Sequence, residues 1–198
     1  MKLDDVRPLH VVDVRVAGEL WPVLSFAIEH PNGLVLVDTG MVDSTPELDA
    51  DWAPTMRPWP ELGPVAAIVN THLHFDHCGG NRRFAGTPTY VQPAELKAVA
   101  EPDYLVDWAR FEGESYVTLD GDAEVLPGIS VLSTPGHTPG HQAVVVETDD
   151  GLVVLAGDMA YSRKELIESG GADLDRVHRL GARRVWISHD LEPWDRGE

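Results

Sequence analysis

A dense cluster of potential metal-binding side chains lies at residues 72–77, where the sequence reads HLHFDH. Histidine is normally scattered along a chain, so three imidazoles and one carboxylate in six positions are unusual. In extended backbone His72 and His74 face the same side. Asp76 and His77 are followed by a glycine pair, and a turn there can direct them to a second centre nearby. One short loop can therefore serve two metal ions.

Further candidate ligands follow where apolar runs end. Residues 134–141 read TPGHTPGH and offer His137 and His141 on a rigid turn. Asp158 and His189 each follow a later apolar run after one small residue, Gly157 and Ser188. We expect His137 to be the ligand and His141 to have a supporting structural role. Neutral imidazole and carboxylate ligands suit zinc, and they also suit manganese, iron and cobalt.

Two further carboxylates lie beside these candidates. Asp38 ends the strand-like run that begins at Leu34, and Asp190 follows His189 directly. Each can orient a ligand imidazole by accepting a hydrogen bond from its second ring nitrogen. The alternative is that each only caps a turn, which is the more frequent role of aspartate in such places.

The elements that must position these residues are mostly strands. Runs rich in β-branched and aromatic residues predict strands, and turn sequences at 31–33 and 149–151 predict two hairpins. This pattern favours an α/β fold in which two sheets pack face to face with helices outside. The predicted strands are 9–16, 21–30, 34–40, 65–70, 129–136 and 184–190, the second hairpin covers 142–158, and the predicted helices are 93–100, 162–169 and 172–180.

The segment 41–63 differs from the rest of the chain. It contains four prolines, with Trp52, Met56 and Trp59 between them. That many prolines argue against a regular element, and the apolar side chains argue against a solvated linker. We expect an irregular loop. Either it faces the substrate, or its aromatic side chains pack over the core.

Length, charge and cysteine content limit the class of protein. The chain has 198 residues, which fits one domain, 1–198. Its formal net charge of −18 argues against nucleic acid or an anionic membrane as partner and favours a neutral or cationic substrate. The N-terminus lacks a secretory signal pattern, so we expect a cytoplasmic protein. The single cysteine, Cys78, excludes an internal disulfide and predicts a small buried side chain.

The order of the candidate ligands resembles the metallo-β-lactamase superfamily. The resemblance depends on the HxHxDH pattern at 72–77, followed by His137, Asp158 and His189, with an Asp-Thr-Gly turn at 38–40. It implies a four-layer αββα sandwich with the metals at one edge. Asp158 stands where the antibiotic-degrading lactamases have a cysteine, so antibiotic lactams are not the expected substrate.

The same resemblance implies a pair of divalent metal ions, with zinc preferred and manganese, iron or cobalt as alternatives. Asp158 is implied to bridge the two ions. The other ligands that it implies are His72, His74 and His137 for one metal, and Asp76, His77 and His189 for the other.

A narrower resemblance links the chain to N-acyl-homoserine lactonases. The stretches 72–77 and 134–142 are similar to that subgroup, and Tyr161, three residues after Asp158, matches a tyrosine of those enzymes. The resemblance implies a quorum-quenching hydrolase that opens the lactone ring with a hydroxide bridging the two metals. Tyr161 is then expected to donate a hydrogen bond to the substrate carbonyl. Asp76 is expected to orient the hydroxide and pass its proton to the leaving alkoxide.

Several alternatives stay open at this point. One is another hydrolase of the same fold, such as a thioesterase of the glyoxalase II type or another ester or lactone hydrolase. A second is a persulfide dioxygenase with one iron, and a third is a non-catalytic metal-binding module. The chain is shorter than lactonases between Asp38 and His72 and between Asp158 and His189, regions that shape the acyl pocket and the dimer contact. The expected partner is a small-molecule substrate, a neutral acylated lactone or ester, and the protein is expected to be a monomer or homodimer.

Overall fold

The structure is a computed structural model that describes residues 1–197, which form two β-sheets with helices on their outer faces. None of the helices within these residues has the length and apolar character needed to cross a membrane. The first sheet contains β1 (Val6–Val16), β2 (Glu19–His30), β3 (Gly33–Val37), β4 (Thr55–Met56), β5 (Val65–Val69), β6 (Thr89–Val91) and β7 (Tyr116–Thr118). The second sheet contains β8 (Ala123–Leu126), β9 (Ile129–Ser133), β10 (Gln142–Thr148), β11 (Gly151–Leu155), β12 (Arg184–Trp186) and β13 (Trp194–Asp195). The helices are α1 (Pro46–Asp51), α2 (Phe75–Cys78), α3 (Pro93–Ala98), α4 (Arg163–Glu168) and α5 (Ala172–Arg179), with 3-10 turns at Leu3–Asp5, Asn81–Phe84 and Pro102–Tyr104.

Both sheets mix antiparallel and parallel pairs. The strand order is β4-β1-β2-β3-β5-β6-β7 in the first sheet and β13-β12-β11-β10-β9-β8 in the second. Strands β3 and β5 are parallel neighbours, and so are β11 and β12. Strand β9 also runs parallel to β11, because both are antiparallel to β10. Each sheet therefore presents several carboxyl strand ends at one edge, and the candidate ligands follow those ends.

The inner core lies between the two sheets and follows from the alternation of side chains along each strand. In β2 the residues Leu24, Phe26 and Ile28 belong to this inner core, whereas Val23 and Ala27 face the other side of the sheet. The second sheet contributes valines, leucine and isoleucine from β9, β10 and β11. The two apolar inner faces thus bury each other.

The outer faces of both sheets are also covered. Leu166 of α4 and Leu174 and Val177 of α5 pack against the second sheet. Leu48 of α1 and Phe75 of α2 pack against the first sheet. The resulting order of layers is helix, sheet, sheet, helix, which confirms the predicted four-layer αββα sandwich.

The predicted strands and hairpins are confirmed, but four of these segments end earlier than expected, and among them β3 ends at Val37 and β11 at Leu155. Strand β9 ends at Ser133 instead of continuing through the Pro-Gly turn, and β12 ends at Trp186. Beyond β12 the backbone leaves the ladder, because Ser188 bonds to Gly157 and to Leu24 of the opposite sheet. The candidate ligands consequently lie in loops that are fixed from both sheets.

The prediction that segment 41–63 has no regular element is wrong. It contains the helix α1 and the short strand β4, which pairs with β1. Pro46 occupies the first turn of α1, where a missing N–H costs nothing, and the Thr45 hydroxyl oxygen accepts from the Leu48 N–H at 3.2 Å. The proline that argued against a helix therefore marks its beginning.

Candidate metal centre

The loop after β5 is divided into two parts by the single helical turn α2. His74 precedes this helix, and the N–H groups of His77 and Cys78 both bond to the His74 carbonyl at 3.0 Å. The turn directs Asp76 and His77 away from the preceding extended backbone, as the sequence predicted. Cys78 is buried and its Sγ donates to the Leu73 carbonyl, which agrees with a structural role.

Three imidazoles converge on one point. His72 Nε2 lies 3.1 Å and His137 Nε2 lies 3.0 Å from His74 Nδ1. If His72 and His137 hold their protons on Nδ1, the only proton available among these three atoms is on His74 Nδ1, and that one N–H faces two acceptors. Ligand nitrogens around a tetrahedral zinc ion lie roughly 3.3 Å apart, given Zn–N distances of about 2.0–2.1 Å. The three nitrogens therefore have a spacing suited to a common cation.

A second group combines two residues of α2 with a histidine from the loop after β12. Atoms of Asp76, His77 and His189 lie within 4.8 Å of one another, and all three residues are buried. The distance from His77 Nε2 to Asp76 Oδ2 is 3.6 Å. This is the second set of residues that the sequence resemblance implied, and the structure brings its members together.

Asp158 lies between the two groups. Its Oδ2 is 3.0 Å from His189 Nε2 and 3.4 Å from His137 Nε2, and its Oδ1 is 3.4 Å from His77 Nε2. One carboxylate thus faces imidazoles of both groups. This position is the one required of a bridging ligand.

Two orphaned atoms show that the residues fit a metal. Within residues 1–197, His77 Nε2 and Asp158 Oδ1 are buried without a hydrogen-bond partner, although they face each other. An unsatisfied buried polar atom costs about 1–3 kcal/mol. A divalent cation placed between them satisfies both. The donor set of imidazoles and carboxylates has the chemistry that such a cation requires.

Asp38 orients two of the histidines, as one of the two sequence interpretations proposed. Its Oδ2 accepts from His77 Nδ1 at 2.9 Å and from the Thr71 hydroxyl at 2.7 Å. The Thr71 hydroxyl oxygen lies 3.0 Å from His72 Nδ1. Because the hydroxyl donates to Asp38, its oxygen accepts a hydrogen bond from the Nδ1–H of His72. Asp38 is held at φ 56°, a left-handed conformation that non-glycine residues rarely adopt. Because the Nδ1 atoms of His72 and His77 are held in these hydrogen bonds, the Nε2 atom of each ring is free to face the centre.

Asp190 does not orient a ligand, so for this residue the turn-capping alternative is correct. Its carboxylate accepts from the backbone N–H groups of Glu192 and Arg163, each at 3.1 Å. His189 Nδ1 instead donates to the Pro22 carbonyl at 2.9 Å. A backbone group of the opposite sheet therefore fixes the last imidazole.

His141 has the supporting role that we expected of it. Its Nε2 accepts the backbone N–H of Asp158 at 3.1 Å, and its Nδ1 lies 2.9 Å from the Thr134 hydroxyl. Burial lowers the pKa of His141 to about 4, so the ring is neutral. Gly157 is required beside it, because a Cβ there would lie 2.6 Å from His141 Nε2. His141 thus positions Asp158 and has no nitrogen left for a metal.

The charges of the two groups differ. Burial lowers the pKa of His72 and lowers that of His74 to about 4. Burial also opposes protonation of His77, but the carboxylates of Asp158 and Asp76 outweigh it and raise the pKa of His77 to about 10. Without metal, the second group therefore retains a proton that a ligand imidazole must lose.

Tyr161 lies at the mouth of the centre. Its hydroxyl is 2.8 Å from His137 Nδ1, and its ring centroid lies 5.3 Å from that of Trp21. When His137 Nε2 faces the centre, its Nδ1–H donates to the tyrosine oxygen, and the phenolic proton is free to point elsewhere. Burial and the nearby Asp158 raise the pKa of Tyr161 to about 12, so the phenol is a donor at neutral pH.

A cavity of about 320 Å³ opens directly onto these residues. Its polar end is formed by the ligands and Tyr161. Apart from Asp103, its remaining walls are apolar and come from the first sheet and the segments beside it, through Val14, Val16, Trp21, Trp52, Phe75 and Leu105. Trp52 reaches this wall from the segment 41–63, whereas Trp59 packs toward Phe84 at a centroid distance of 6.2 Å. Both tryptophans pack against the core of the first sheet, and Trp52 in addition lines the cavity.

Sequence reasoning missed two residues that support the ligands, Thr71 and Glu95. Thr71 stands beside His72 and relays its hydrogen bond to Asp38. Glu95 is buried in α3 and bonds to two of the loops that carry candidate ligands, at Leu73 and Gly140. A lone glutamate in a short helical segment gives no local signal of such a role, because its partners are distant in sequence.

Comparison with known proteins agrees with this geometry. The family model for the metallo-beta-lactamase superfamily matches residues 18–189. An N-acyl homoserine lactonase from a Bacillus species is 35% identical over 211 residues, which cover 88% of this chain and 84% of the relative. A second N-acyl homoserine lactonase, from Bacillus cereus, is 33% identical and covers 86% of this chain and 82% of its own length.

Solved structures show the same similarity. A quorum-quenching N-acyl homoserine lactone lactonase superimposes with a TM-score of 0.79 at 26% identity, covering 96% of this chain and 94% of the other. An N-acyl homoserine lactone hydrolase with N-hexanoyl-L-homoserine at its catalytic metal centre gives a TM-score of 0.77 at 26% identity, covering 94% and 92%. The clustered histidines and aspartates form a divalent metal site. The chain belongs to the metallo-β-lactamase superfamily.

Proposed function

We propose that this chain is a metal-dependent hydrolase that opens the lactone ring of N-acyl-homoserine lactones. The observation that carries the proposal is the cavity, which joins the ligand cluster and Tyr161 at one end to apolar walls at the other. This arrangement suits a neutral molecule with a reactive carbonyl and an acyl chain. The similar lactonases, which include one with a ring-opened product at its metal centre, support the same substrate class.

The ligand geometry supports a site for two ions, with zinc as the preferred metal and manganese, iron or cobalt as alternatives. Asp158 faces both groups and is proposed to bridge them. The proposed ligands are His72, His74 and His137 for the first ion, and Asp76, His77 and His189 for the second.

A divalent metal held by these residues acidifies water and polarises a carbonyl oxygen. The chain's own groups supply the remaining steps. When His137 Nδ1–H donates to the Tyr161 oxygen, the phenolic proton is free, and we propose that it bonds to the substrate carbonyl oxygen, where negative charge develops. Asp76 borders the cavity and is proposed to take a proton from the attacking water. Water adds to the carbonyl carbon, the ring C–O bond breaks, and Asp76 returns the proton to the departing oxygen.

The proposal also covers the domain organisation and the oligomeric state of the protein. We propose that residues 1–198 act as one metallo-hydrolase domain, because the ligands come from loops of both sheets and span residues 72 to 189. A cytoplasmic monomer or homodimer remains the expectation.

The test combines metal counting with a direct assay of ring opening. Elemental analysis of the purified protein is expected to give two divalent ions per chain, and proton release is expected on addition of N-hexanoyl- and N-decanoyl-homoserine lactones. A lactone without an acyl chain is the matched control, and we expect it to react more slowly. Two ions without ring opening of any acylated lactone would contradict the lactonase proposal and direct attention to thioesters. A single iron with oxygen consumption would contradict the hydrolase proposal itself.

A further inference from the structure

Glu95 is a buried carboxylate whose four hydrogen-bond partners come from three separate segments. Only 1% of its surface is exposed. Its Oε1 accepts from the Leu73 N–H at 2.8 Å and from the Tyr104 hydroxyl at 2.7 Å. Its Oε2 accepts from the Thr138 hydroxyl at 2.8 Å and from the Gly140 N–H at 2.9 Å. Each oxygen thus binds one backbone N–H, which cannot rotate, and one hydroxyl, which can.

These partners lie beside three of the proposed metal ligands. Leu73 stands between His72 and His74, so the bond from its N–H fixes the peptide that joins the two imidazoles. Thr138 follows His137 directly. One carboxylate therefore connects the two loops whose histidines must converge.

A further contact reaches His74 through a ring. The Tyr104 hydroxyl bonds to Glu95, and the Tyr104 ring packs edge-on against the His74 imidazole at a centroid distance of 4.8 Å. The orientation of His74 is thus linked to the same carboxylate. None of the four hydrogen-bond partners of Glu95 belongs to the loop that carries His189.

The loop that carries His137 packs closely against α3, and this close approach requires a glycine at position 140. A Cβ at Gly140 would lie 2.2 Å from the Glu95 backbone nitrogen, so only glycine allows the loop to pack this near. The distance between the loop and the helix is consequently fixed by contact as well as by hydrogen bonds.

We propose that Glu95 is a positioning residue that holds the loops of His72, His74 and His137 at the separation that one metal ion requires. The inference rests on the proposed assignment of these histidines to a metal. A tetrahedral site tolerates little error in the placement of its ligands, and loss of an outer hydrogen-bond partner typically lowers metal affinity by about 10- to 100-fold. The affinity of the Asp76, His77 and His189 group is expected to depend on Asp38 instead of Glu95.

Glu95→Gln is the sharpest test because it preserves the shape of the side chain. Whichever way the amide is oriented, its NH2 faces one hydroxyl and one backbone N–H. The hydroxyl can rotate and accept, but the N–H of Leu73 or Gly140 is left opposite another donor. One of the two loops is therefore released. Thr138→Val, which is nearly isosteric and removes one donor only, provides a milder second variant.

The readout is titration of the metal-free protein with Co2+, followed by the cobalt absorption band and by the hyperfine-shifted ring N–H signals in NMR spectra. His137→Ala identifies the signals of the first group. We expect Glu95→Gln to weaken Co2+ binding at the first group by about 10- to 100-fold and to leave the second group unchanged. With the metals restored, kcat is expected to fall more than KM rises.

Gln92→Ala is the matched control. Gln92 is also buried and adjoins α3, and it bonds to Gly121 and Gln142 but not to the partners of Glu95. We expect it to lower the unfolding midpoint of the metal-free protein without weakening Co2+ binding at either group.

Three outcomes contradict the inference. They are unchanged cobalt binding in a folded Glu95→Gln protein, equal weakening of both groups, and the same weakening in Gln92→Ala. If Glu95→Gln does not fold, selective weakening at the first group in Thr138→Val supports the inference, and wild-type binding in that variant overturns it. Absence of Co2+ binding by the wild-type protein would instead overturn the proposed metal site.

Discussion

Asp158 is the residue at which both groups of proposed ligands meet. Its two oxygens face imidazoles of His77, His137 and His189 at 3.0 to 3.4 Å. It is buried, and its pKa is held well below the usual value because the charged His189 and His77 outweigh the effect of burial. The carboxylate is therefore ionised and available to two cations at any pH near neutrality.

We predict that Asp158→Ala loses both metals and the activity together. The loss of activity is expected to exceed the roughly 100-fold effect that removal of an outer hydrogen-bond partner can produce, since Asp158 is proposed to bind directly. Elemental analysis and lactone turnover measure the two effects. Asp190→Ala is the control, because Asp190 caps a turn and is expected to leave the metal content intact. Two retained ions in Asp158→Ala would show that it does not bridge.

We predict that Tyr161→Phe retains the metals and loses turnover. The variant removes one donor to the developing charge, an effect that typically lowers kcat on the order of 10²-fold. The packing of the ring against Trp21 is preserved, so KM is expected to change little. Steady-state kinetics and metal analysis of the same preparation measure both quantities. An unchanged kcat would remove Tyr161 from the catalytic residues.

At the scale of elements, the segment 41–63 connects the fold to the cavity. Helix α1 is anchored by the buried Leu48 and capped by Thr45. Trp52 follows its end, lines the cavity and packs edge-on against Phe75 at a centroid distance of 5.3 Å. A short helix with a proline at its start thus positions one wall of the substrate site.

We predict that Trp52→Ala weakens binding of long acyl chains selectively. Loss of its apolar contact is expected to raise KM for the decanoyl lactone roughly tenfold and to affect the hexanoyl lactone less. Steady-state kinetics with both substrates measure the difference. Trp59→Ala is the matched control from the same segment, because Trp59 packs toward Phe84 away from the cavity wall. Equal effects of both variants on both chain lengths would argue against an acyl site at Trp52.

At the scale of the whole molecule, the centre couples metal binding to pH. The Asp158 and Asp76 carboxylates, acting against burial, raise the pKa of His77 from 6.5 to about 10. In the metal-free protein this proton contributes stability that is fully present below pH 6.5 and is lost as the pH rises through about 10. A metal must displace the same proton, because only the neutral imidazole is a ligand.

We predict that metal binding at pH 8 releases at least one proton per chain and that affinity rises with pH up to about 10. Calorimetric titration of the metal-free protein with Zn2+ in buffers of different ionisation enthalpy measures the release. His30→Ala is a suitable control, because His30 bonds to Pro127 far from the ligands and is expected to leave the proton count unchanged. A heat of binding that does not depend on the buffer would contradict the raised pKa of His77.

The sequence by itself predicted the candidate ligands that the structure brings together, and it predicted two packed sheets with helices outside. Alternating apolar residues and hairpin turns predicted most strands, because side chains in a strand alternate with a period of two and these turns need specific residues. The spacing at 72–77 predicted two groups of ligands, because the extended part and the following turn point in different directions. These features depend on residues that are close together in the sequence, so they can be predicted from local sequence patterns.

Only the tertiary structure decided which supporting groups act on the ligands. Asp38 and Asp190 look alike in sequence, yet one orients His77 and the other caps a turn. His141 is not available as a metal ligand, because its Nε2 accepts a hydrogen bond from the backbone N–H of Asp158. Glu95 accepts hydrogen bonds from the backbone N–H groups of Leu73 and Gly140, which are far apart in sequence. Each of these roles depends on partners that are distant along the chain. Hydrogen bonds form over about 3 Å, so a role that depends on such distances exists only once the sheets and loops have packed.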